Sequence, residues 1–173
     1  MNKDPRFPTL SVLDHPLIQF YVSMCAFGTT TSQTAAVIET IRSRTEPGSR
    51  LLSVGCGTAQ KEEALARSLP DRQFVAMDIA EGTLATARER LAQSGVHNLE
   101  LIIGNFNDFE LQPASYDMIL GLGAIHHVEQ LEAFWATCAR GLVPGGVVLS
   151  QEYVGASRFQ WTAQQLEHAN ELF

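Results

Sequence analysis

The sequence predicts an α/β fold in which the strands of a parallel sheet alternate with helices. The first observation is the largely apolar segment Leu51–Val54, which has the composition of a buried parallel strand. The second is the glycine-rich turn Gly55–Ala59, which leads into a helix predicted over residues 60–69. The third is Asp78, an acid that ends a second strand 23 residues after Gly55. This order is typical of a nucleotide-type site at the carboxyl end of a parallel sheet.

Two helices are predicted before the first strand. Asp14 and Ser32 can each cap the start of a helix, because a short polar side chain accepts hydrogen bonds from the first unpaired N–H groups. In the second of these helices, Val37, Ile38 and Ile41 lie on one face at helical spacing. We expect both helices to cover the sheet.

The rest of the chain alternates between strands and helices. Further strands are predicted over residues 73–77, 99–103, 116–120 and 147–153. Each helix between them is predicted to bury one apolar stripe: Leu65 and Leu69, then Leu84, Ala87 and Leu91, then Leu131, Trp135, Cys138 and Leu142. Pro144-Gly145-Gly146 predicts a tight turn before the last strand. Thr162 with Gln165 predicts a capping box for a final helix.

Composition limits the class of protein. The 173 residues suffice for one domain, 1–173, made of N-terminal helices (1–49), a core (50–155) and a C-terminal helix (156–173). The net charge of −7 argues against a nucleic-acid partner, which needs a basic surface. The three cysteines are scattered, without the spacing of a metal site, and favour a reduced, cytoplasmic setting. We expect no signal peptide and no membrane span, because the apolar run 17–27 is short and interrupted.

The spacing of the glycine turn restricts the ligand. A dinucleotide fingerprint needs a glycine where this chain has Gln60, and the phosphate-binding pattern G-x-x-x-x-G-K-[ST] is absent. The turn therefore suits a ligand without phosphates, which the bare backbone of Gly55 and Gly57 can approach closely. The start of the next helix adds unpaired N–H groups and the positive end of the helix dipole.

The segment 51–59 resembles motif I of the class I S-adenosylmethionine-dependent methyltransferases, and the later motifs resemble their small-molecule members. Ser53 stands where the family usually has Asp or Glu, an acid that helps to organise the methionine end of the cofactor site. Ala59 replaces the third glycine, which costs little if φ is negative there. The resemblance implies S-adenosyl-L-methionine as the cofactor. It also implies that five residues hold the methionine portion: Gly55, Cys56, Gly57, Thr58 and Ala59.

The segment 74–84 with Ala87-Arg88 resembles the family's second motif. It implies that Asp78 accepts hydrogen bonds from the ribose hydroxyls and that Ile79 lies beside it in the cofactor site. The alternative is that Asp78 only caps the helix that follows, and the two roles are compatible.

Two later turns carry the other candidate residues. The resemblance implies that Asn105 and Phe106 contact the adenine, although Asn105 could instead serve only the turn. It implies that Gly121 and Leu122 border the methyl-bearing end. His127 could accept a proton, since its unperturbed pKa is ~6.5, or it could pack against or cap the next helix. No catalytic residue and no metal ligand is assigned.

The resemblance covers about residues 50–155 and implies a Rossmann-like, doubly wound parallel sheet with the strand order 3-2-1-4-5. Full family members continue with two more strands. We therefore expect a truncated chain, or a partner such as a second copy, at the edge of the fifth strand. The aromatic residues of the first predicted helix either cover the sheet or wall a pocket for the sulfonium cation: Phe20, Tyr21 and Phe27.

The predicted function is methyl transfer from S-adenosylmethionine to a small-molecule acceptor. One alternative is a cofactor-binding homologue without catalytic activity, which Ser53 and the missing strands favour. The other is a nicotinamide-dependent oxidoreductase on the same sheet, which Gln60 disfavours.

Overall fold

The computed structural model describes residues 32–152, in which helices lie on both faces of a parallel sheet. The helices are α1 (Gln33–Arg44), α2 (Gln60–Ser68), α3 (Glu81–Ala92) and α4 (Leu131–Gly141). The strands are β1 (Arg50–Val54), β2 (Gln73–Asp78), β3 (Leu99–Ile103), β4 (Tyr116–Leu122) and β5 (Leu142–Gln151). The first predicted helix with its aromatic residues, and the helix after Thr162, lie outside the described residues.

The spatial order of the strands is β3-β2-β1-β4-β5, and every neighbouring pair is parallel, which confirms the predicted fold class and strand order. β1 lies at the centre, between β2 and β4. Its consecutive residues Leu51 and Leu52 are fully buried in two different clusters, as expected where side chains alternate between the faces of a sheet. One cluster includes Ile41 of α1 and the other includes Phe134 of α4. Both faces of the sheet are therefore covered.

The two ends of α1 are fixed by polar side chains. Ser32 Oγ accepts a hydrogen bond from the Ala35 N–H at 3.2 Å, which confirms the predicted cap. At the other end, the buried guanidinium of Arg72 donates to the hydroxyl and carbonyl oxygens of Thr45, at 3.0 and 2.8 Å. The Arg72 contacts lie near the amino end of β2, whereas the start of α1 lies at the carboxyl end of β5, where Gln33 is hydrogen-bonded to Gln151. Among the helices between residues 32 and 152, none has the length and apolar composition that a membrane crossing requires.

The strands at the β4–β5 edge differ from the prediction. β4 is two residues longer than predicted, because Gly121 and Leu122 still pair with β5. β5 begins at Leu142, and the predicted turn around Gly145 (φ 84) forms a bulge inside this strand instead of preceding it. The bulge places residues 143–146 opposite a single residue of β4, Asp117.

The inner face of α4 also differs from the prediction. Cys138 of the predicted stripe is buried, as expected, but Leu131 and Trp135 of that stripe are 45% and 38% exposed, and Phe134 is buried instead. The helix begins only at Leu131, and Phe109 stacks on Phe134 with ring centroids 5.8 Å apart. This stacking draws the Phe134 side of the helix into the core.

Candidate functional site

The glycine turn between β1 and α2 is held by its neighbours on the sheet. The Cys56 N–H donates to a backbone carbonyl of β2 at 3.0 Å, and the Gly57 N–H donates to Asp78 Oδ2 at 2.7 Å. From α3, the guanidinium of Arg90 donates to the carbonyl oxygen of Thr58 at 2.6 Å. The shape of the turn is therefore fixed by hydrogen bonds within the protein.

The backbone of the turn is left-handed at Gly55, Gly57 and Ala59, with φ of 66°, 55° and 53°. A Cβ on Gly55 would lie 2.5 Å from the Cβ of Ala124 and 3.2 Å from the ring of Phe106, so glycine is required there. Ala59 keeps a positive φ although it has a Cβ, which costs about 1–2 kcal/mol. The condition for a low cost of alanine at this position, a negative φ, is not met.

Asp78 joins the turn to the start of α3. Its Oδ2 accepts the Gly57 N–H at 2.7 Å, and its Oδ1 accepts the Ala80 N–H at 2.9 Å. Ala80 is the residue directly before α3, so the bond to Oδ1 fixes the entry to this helix. Ile79, next in the chain, is 65% exposed, which leaves an apolar side chain open at the carboxyl end of β2. Contact of Asp78 and Ile79 with a ribose stays a prediction.

The loop after β3 contains the two residues predicted to contact adenine. Asn105 Oδ1 accepts the Asn107 N–H at 3.0 Å, so this side chain serves the local turn that was the alternative interpretation. Phe106 is half-buried and packs edge-on against Phe134, with ring centroids 6.4 Å apart. Its ring also faces Gly55, and the structure thus brings the β3 loop and the glycine turn together.

The residues predicted to border the methyl-bearing end lie inside β4. Gly121 faces Ile125, where an added Cβ would come within 2.5 Å of the isoleucine side chain. Leu122 is buried, and its backbone carbonyl accepts a hydrogen bond from Lys61 Nζ at 2.9 Å. The loop itself begins at Gly123, and the Leu122 side chain packs in the core cluster that includes Leu51. A place for Gly121 and Leu122 beside the methyl-bearing end stays a prediction.

Two histidines follow in the 3₁₀ turn Ile125–His127, with their ring centroids 4.1 Å apart and their planes tilted by 46°. His126 Nδ1 lies 2.7 Å from Glu152 Oε2, and both histidines are exposed. Sequence reasoning selected His127 and missed this pair. The available signal was topological: β5 is parallel to β4, so Glu152, one residue after β5, lies beside the loop that follows β4.

Glu152 is held in its ionised form. Burial alone raises the pKa of Glu152, but hydrogen bonds from His126 and from the N–H groups of Ile125 and Ala124 together lower the pKa below its ordinary value. The two N–H groups lie 2.6 and 2.8 Å from Oε1. The carboxylate therefore orients the His126 ring and fixes the loop after β4.

The comparison with protein families identifies the chain. Residues 51–146, from β1 into β5, match the family model described as a methyltransferase domain. The chain belongs to the class I S-adenosylmethionine-dependent methyltransferases. The matched range includes the glycine turn, Asp78, the β3 loop and the two histidines.

The chain is similar in sequence to a curated relative and in fold to two solved structures. The chain is 34% identical, over 101 residues, to the ubiquinone biosynthesis O-methyltransferase of Idiomarina loihiensis, a match covering 58% of this chain and 41% of the relative. A SAM dependent methyltransferase from Aquifex aeolicus superposes with a TM-score of 0.64 at 17% identity, covering 86% of this chain and 78% of that one. The [4+2]-cyclase SpnF gives 0.63 at 22% identity, covering 82% and 57%.

The match to relatives is partial in length. Across eight curated relatives, the matched share of their length lies between 24% and 50%. The two structural likenesses, both under 25% identity, show that the fold of this methyltransferase is shared.

In this methyltransferase, Ser53 occupies the position on β1 at which the family usually has an acid. Its hydroxyl is hydrogen-bonded to an acid of the next helix, Glu62. Ser53 Oγ donates to Glu62 Oε1 on α2 at 2.7 Å, and both side chains are buried. Burial is the main cause that raises the pKa of Glu62 above its ordinary value. Sequence reasoning noted Ser53 but missed Glu62, although a charged residue three positions before the buried Leu65 was a signal.

The thiol in the glycine turn is not a nucleophile. Burial raises the pKa of Cys56 to about 12, and the carboxyl groups of Glu62 and Asp78 contribute to the rise. Because the thiolate is the reactive form, Cys56 stays protonated and unreactive at neutral pH.

Proposed function

We propose that this chain binds S-adenosyl-L-methionine and transfers its methyl group to a small-molecule acceptor. The observation that carries the proposal is the turn Gly55–Ala59, tied by a hydrogen bond to Asp78 at the carboxyl ends of β1 and β2, in a chain of this family. A bare backbone turn beside one carboxylate suits an adenosyl ligand without phosphates.

The site residues keep the roles that the resemblance implies. The turn residues hold the methionine portion, while Asp78 and Ile79 bind the ribose side. Asn105 and Phe106 lie toward the adenine. Gly121 and Leu122 border the methyl-bearing end through their backbone, since their side-chain positions are taken up by core packing.

The reaction requires the protein mainly to position the two reactants and to keep water out of the site. Bound S-adenosylmethionine supplies a methyl group on a sulfonium, which is already a good leaving group. The lone pair of the acceptor would form the new bond to the methyl carbon as the carbon–sulfur bond broke, and the electrons of that bond would stay on sulfur. The chain's own contribution is to align the acceptor and exclude water.

We assign His126 as the proton acceptor for substrates that lose a proton. Its Nδ1 lies 2.7 Å from the Glu152 carboxylate, which fixes the ring and leaves the accepting role to Nε2. His127 is the second candidate. His126→Gln is expected to lower the methyl-transfer rate about 100-fold, whereas the control His127→Gln changes the rate little. Equal effects of the two substitutions would contradict the choice.

Two observations support a small-molecule acceptor. The relative described above is named for ubiquinone biosynthesis, and the net charge of −7 disfavours a nucleic acid.

A second candidate function is a cofactor-binding protein that does not transfer the methyl group. The observation that favours it is Ser53, which stands where the family usually has an acid.

Two measurements test the proposal. Calorimetric titration is expected to show binding of S-adenosylhomocysteine and none of a nicotinamide dinucleotide, which distinguishes the oxidoreductase alternative. Transfer of labelled methyl groups to a panel of small oxygen, nitrogen, carbon and sulfur acceptors then distinguishes an enzyme from a binding protein. Absence of any S-adenosylhomocysteine binding would overturn the proposal.

A further inference from the structure

A buried contact between β1 and α2 distinguishes this chain from the usual pattern of its family. Ser53 Oγ and Glu62 Oε1 are 2.7 Å apart, and the two residues are 1% and 2% exposed. Position 53 is the one at which the family usually carries Asp or Glu. A carboxylate is thus present at this place in the fold, but α2 contributes it instead of β1.

One oxygen of this carboxylate has no partner. Within residues 32–152, Glu62 Oε2 is the only buried side-chain nitrogen or oxygen without a hydrogen bond. Leaving a buried acceptor unsatisfied costs about 1–3 kcal/mol, and more if it is charged. Such an atom calls for an explanation, and a ligand that brings a donor is one.

The surroundings of Glu62 favour a cationic donor. Burial, the largest cause, raises the pKa of Glu62; hydrogen bonds from Ser53 and from the backbone lower this pKa, as does Lys61, while the charge of Asp78 raises it. Lys61 Nζ is bonded to the carbonyl oxygen of Leu122 at 2.9 Å. Ser53 faces the carboxyl from β1, and the uncharged thiol of Cys56 lies nearby in the turn. The carboxyl groups of Glu62 and Asp78 therefore outnumber the one ammonium group beside them, that of Lys61.

The helix tolerates an acid at this point. Ala59, the N-cap of α2, provides no side-chain hydrogen bond, so the first turn of the helix lacks a side-chain cap. A carboxylate in the first turn interacts favourably with the helix dipole. Glu62 also lies three positions before the buried Leu65, on the helix face that meets the sheet.

We propose that Glu62 takes over, from α2, the role that an acid on β1 plays in the family. Its free oxygen Oε2 accepts a hydrogen bond from the ammonium group of the cofactor's methionine portion. Ser53 is then a positioning residue, whose hydroxyl holds Oε1 and so directs Oε2. This inference rests on the proposed function, since it requires the cofactor to occupy the glycine turn.

The first test is calorimetric titration of the full chain with S-adenosylhomocysteine. Glu62→Gln keeps the shape of the side chain and removes its charge, and we expect the affinity to fall about tenfold or more. Glu39→Gln is the control for the loss of one negative charge, because Glu39 is an exposed acid of α1 that pairs with Arg42 on the same helix. We expect its affinity to stay within about twofold of the wild type.

Two further measurements separate ligand contact from a merely structural role. Methylthioadenosine lacks the ammonium group, so Glu62→Gln is expected to bind it as the wild type does. Adding Ser53→Asp to Glu62→Ala returns a carboxylate to β1 and is expected to recover most of the affinity for S-adenosylhomocysteine. Alone, Ser53→Asp places two acids together and is expected to lower the melting temperature.

The outcomes are distinguishable. A wild-type chain that does not bind S-adenosylhomocysteine removes the proposed function and this inference together. A wild type that binds, with Glu62→Gln binding equally well, overturns only the role of Glu62. The same holds if Glu62→Gln weakens methylthioadenosine as much as S-adenosylhomocysteine. If Glu62→Gln does not fold, the double variant decides, and failure of Ser53→Asp to recover affinity overturns the role.

Discussion

The glycine turn offers two substitutions whose effects the structure separates. A methyl group on Gly55 would stand 2.5 Å from the Cβ of Ala124 and 3.2 Å from the ring of Phe106. A methyl group on Gly57 would meet nothing within 4 Å. Both glycines have a positive φ, 66° and 55°. Gly55→Ala and Gly57→Ala therefore share a backbone cost, and only Gly55→Ala adds a clash.

The expected losses of unfolding free energy follow from the backbone cost and the clash. A left-handed alanine costs about 1–2 kcal/mol, and the smaller entropy of the unfolded alanine chain offsets about 0.4–1 kcal/mol of it. Gly57→Ala is thus expected to lower the free energy of unfolding by about 1 kcal/mol. Overpacking against the loop that holds Ala124 adds about 1–3 kcal/mol, so Gly55→Ala is expected to lose about 2–4 kcal/mol.

Urea unfolding followed by circular dichroism measures both losses, provided that the slope m is unchanged. Binding is expected to rank the variants in the opposite way, because the space beside Gly57 is open and belongs to the proposed ligand site. Gly57→Ala should fold almost normally and bind S-adenosylhomocysteine poorly. Losses of stability that agree within about 0.5 kcal/mol for the two variants would refute the reasoning.

Three further predictions concern other parts of the fold. Asp78→Ala is expected to weaken S-adenosylhomocysteine binding by about 2–4 kcal/mol in calorimetry, and unchanged affinity would contradict its assignment. Because the pKa of Glu152 is lowered by folding from 4.5, the stability advantage of the wild type over Glu152→Gln is expected above that pH. In acid unfolding it should disappear as the pH falls through the lowered pKa. Phe134→Ala is expected to cost about 3–5 kcal/mol in thermal unfolding and Trp135→Ala about 1 kcal/mol, and the reverse order would contradict the observed inner face of α4.

The sheet could be predicted because its signals are local. β3 has the predicted bounds, Leu99–Ile103, since an apolar run closed by turn residues defines a strand without distant partners. β4 runs two residues past its predicted end because Gly121 pairs with Ser150, far along the chain. Local patterns do not contain that partner.

The face of α4 could not be predicted for a related reason. Apolar residues occur on more than one side of this helix, and Cys138 has helical spacing both from Trp135, in the predicted stripe, and from Phe134. Leu111, from the loop before β4, contacts the helix end where Gly141 leaves room for it. That long-range contact, with the aromatic stacking on Phe134, selects the buried stripe.

The parts of the candidate site that lie within one contiguous motif were predictable. The contacts between residues of two separate elements were not. Asp78 and the glycine turn belong to contiguous motifs. His126 and Glu152 are 26 residues apart, and only the pairing of β5 with β4 brings them together. The bond between Ser53 and Glu62 joins a strand to the first turn of the next helix, and the pattern of either element alone does not contain it.

The two hydrogen bonds that Asp78 accepts have a consequence for the kinetics of ligand binding. Since its two oxygens already hold the N–H groups of Gly57 and Ala80, the conformational entropy of ordering this bend is lost when the chain folds. An arriving adenosyl compound meets a rigid receptor and does not have to organise it. Its association should therefore follow a single exponential, without a slow rearrangement after the first encounter.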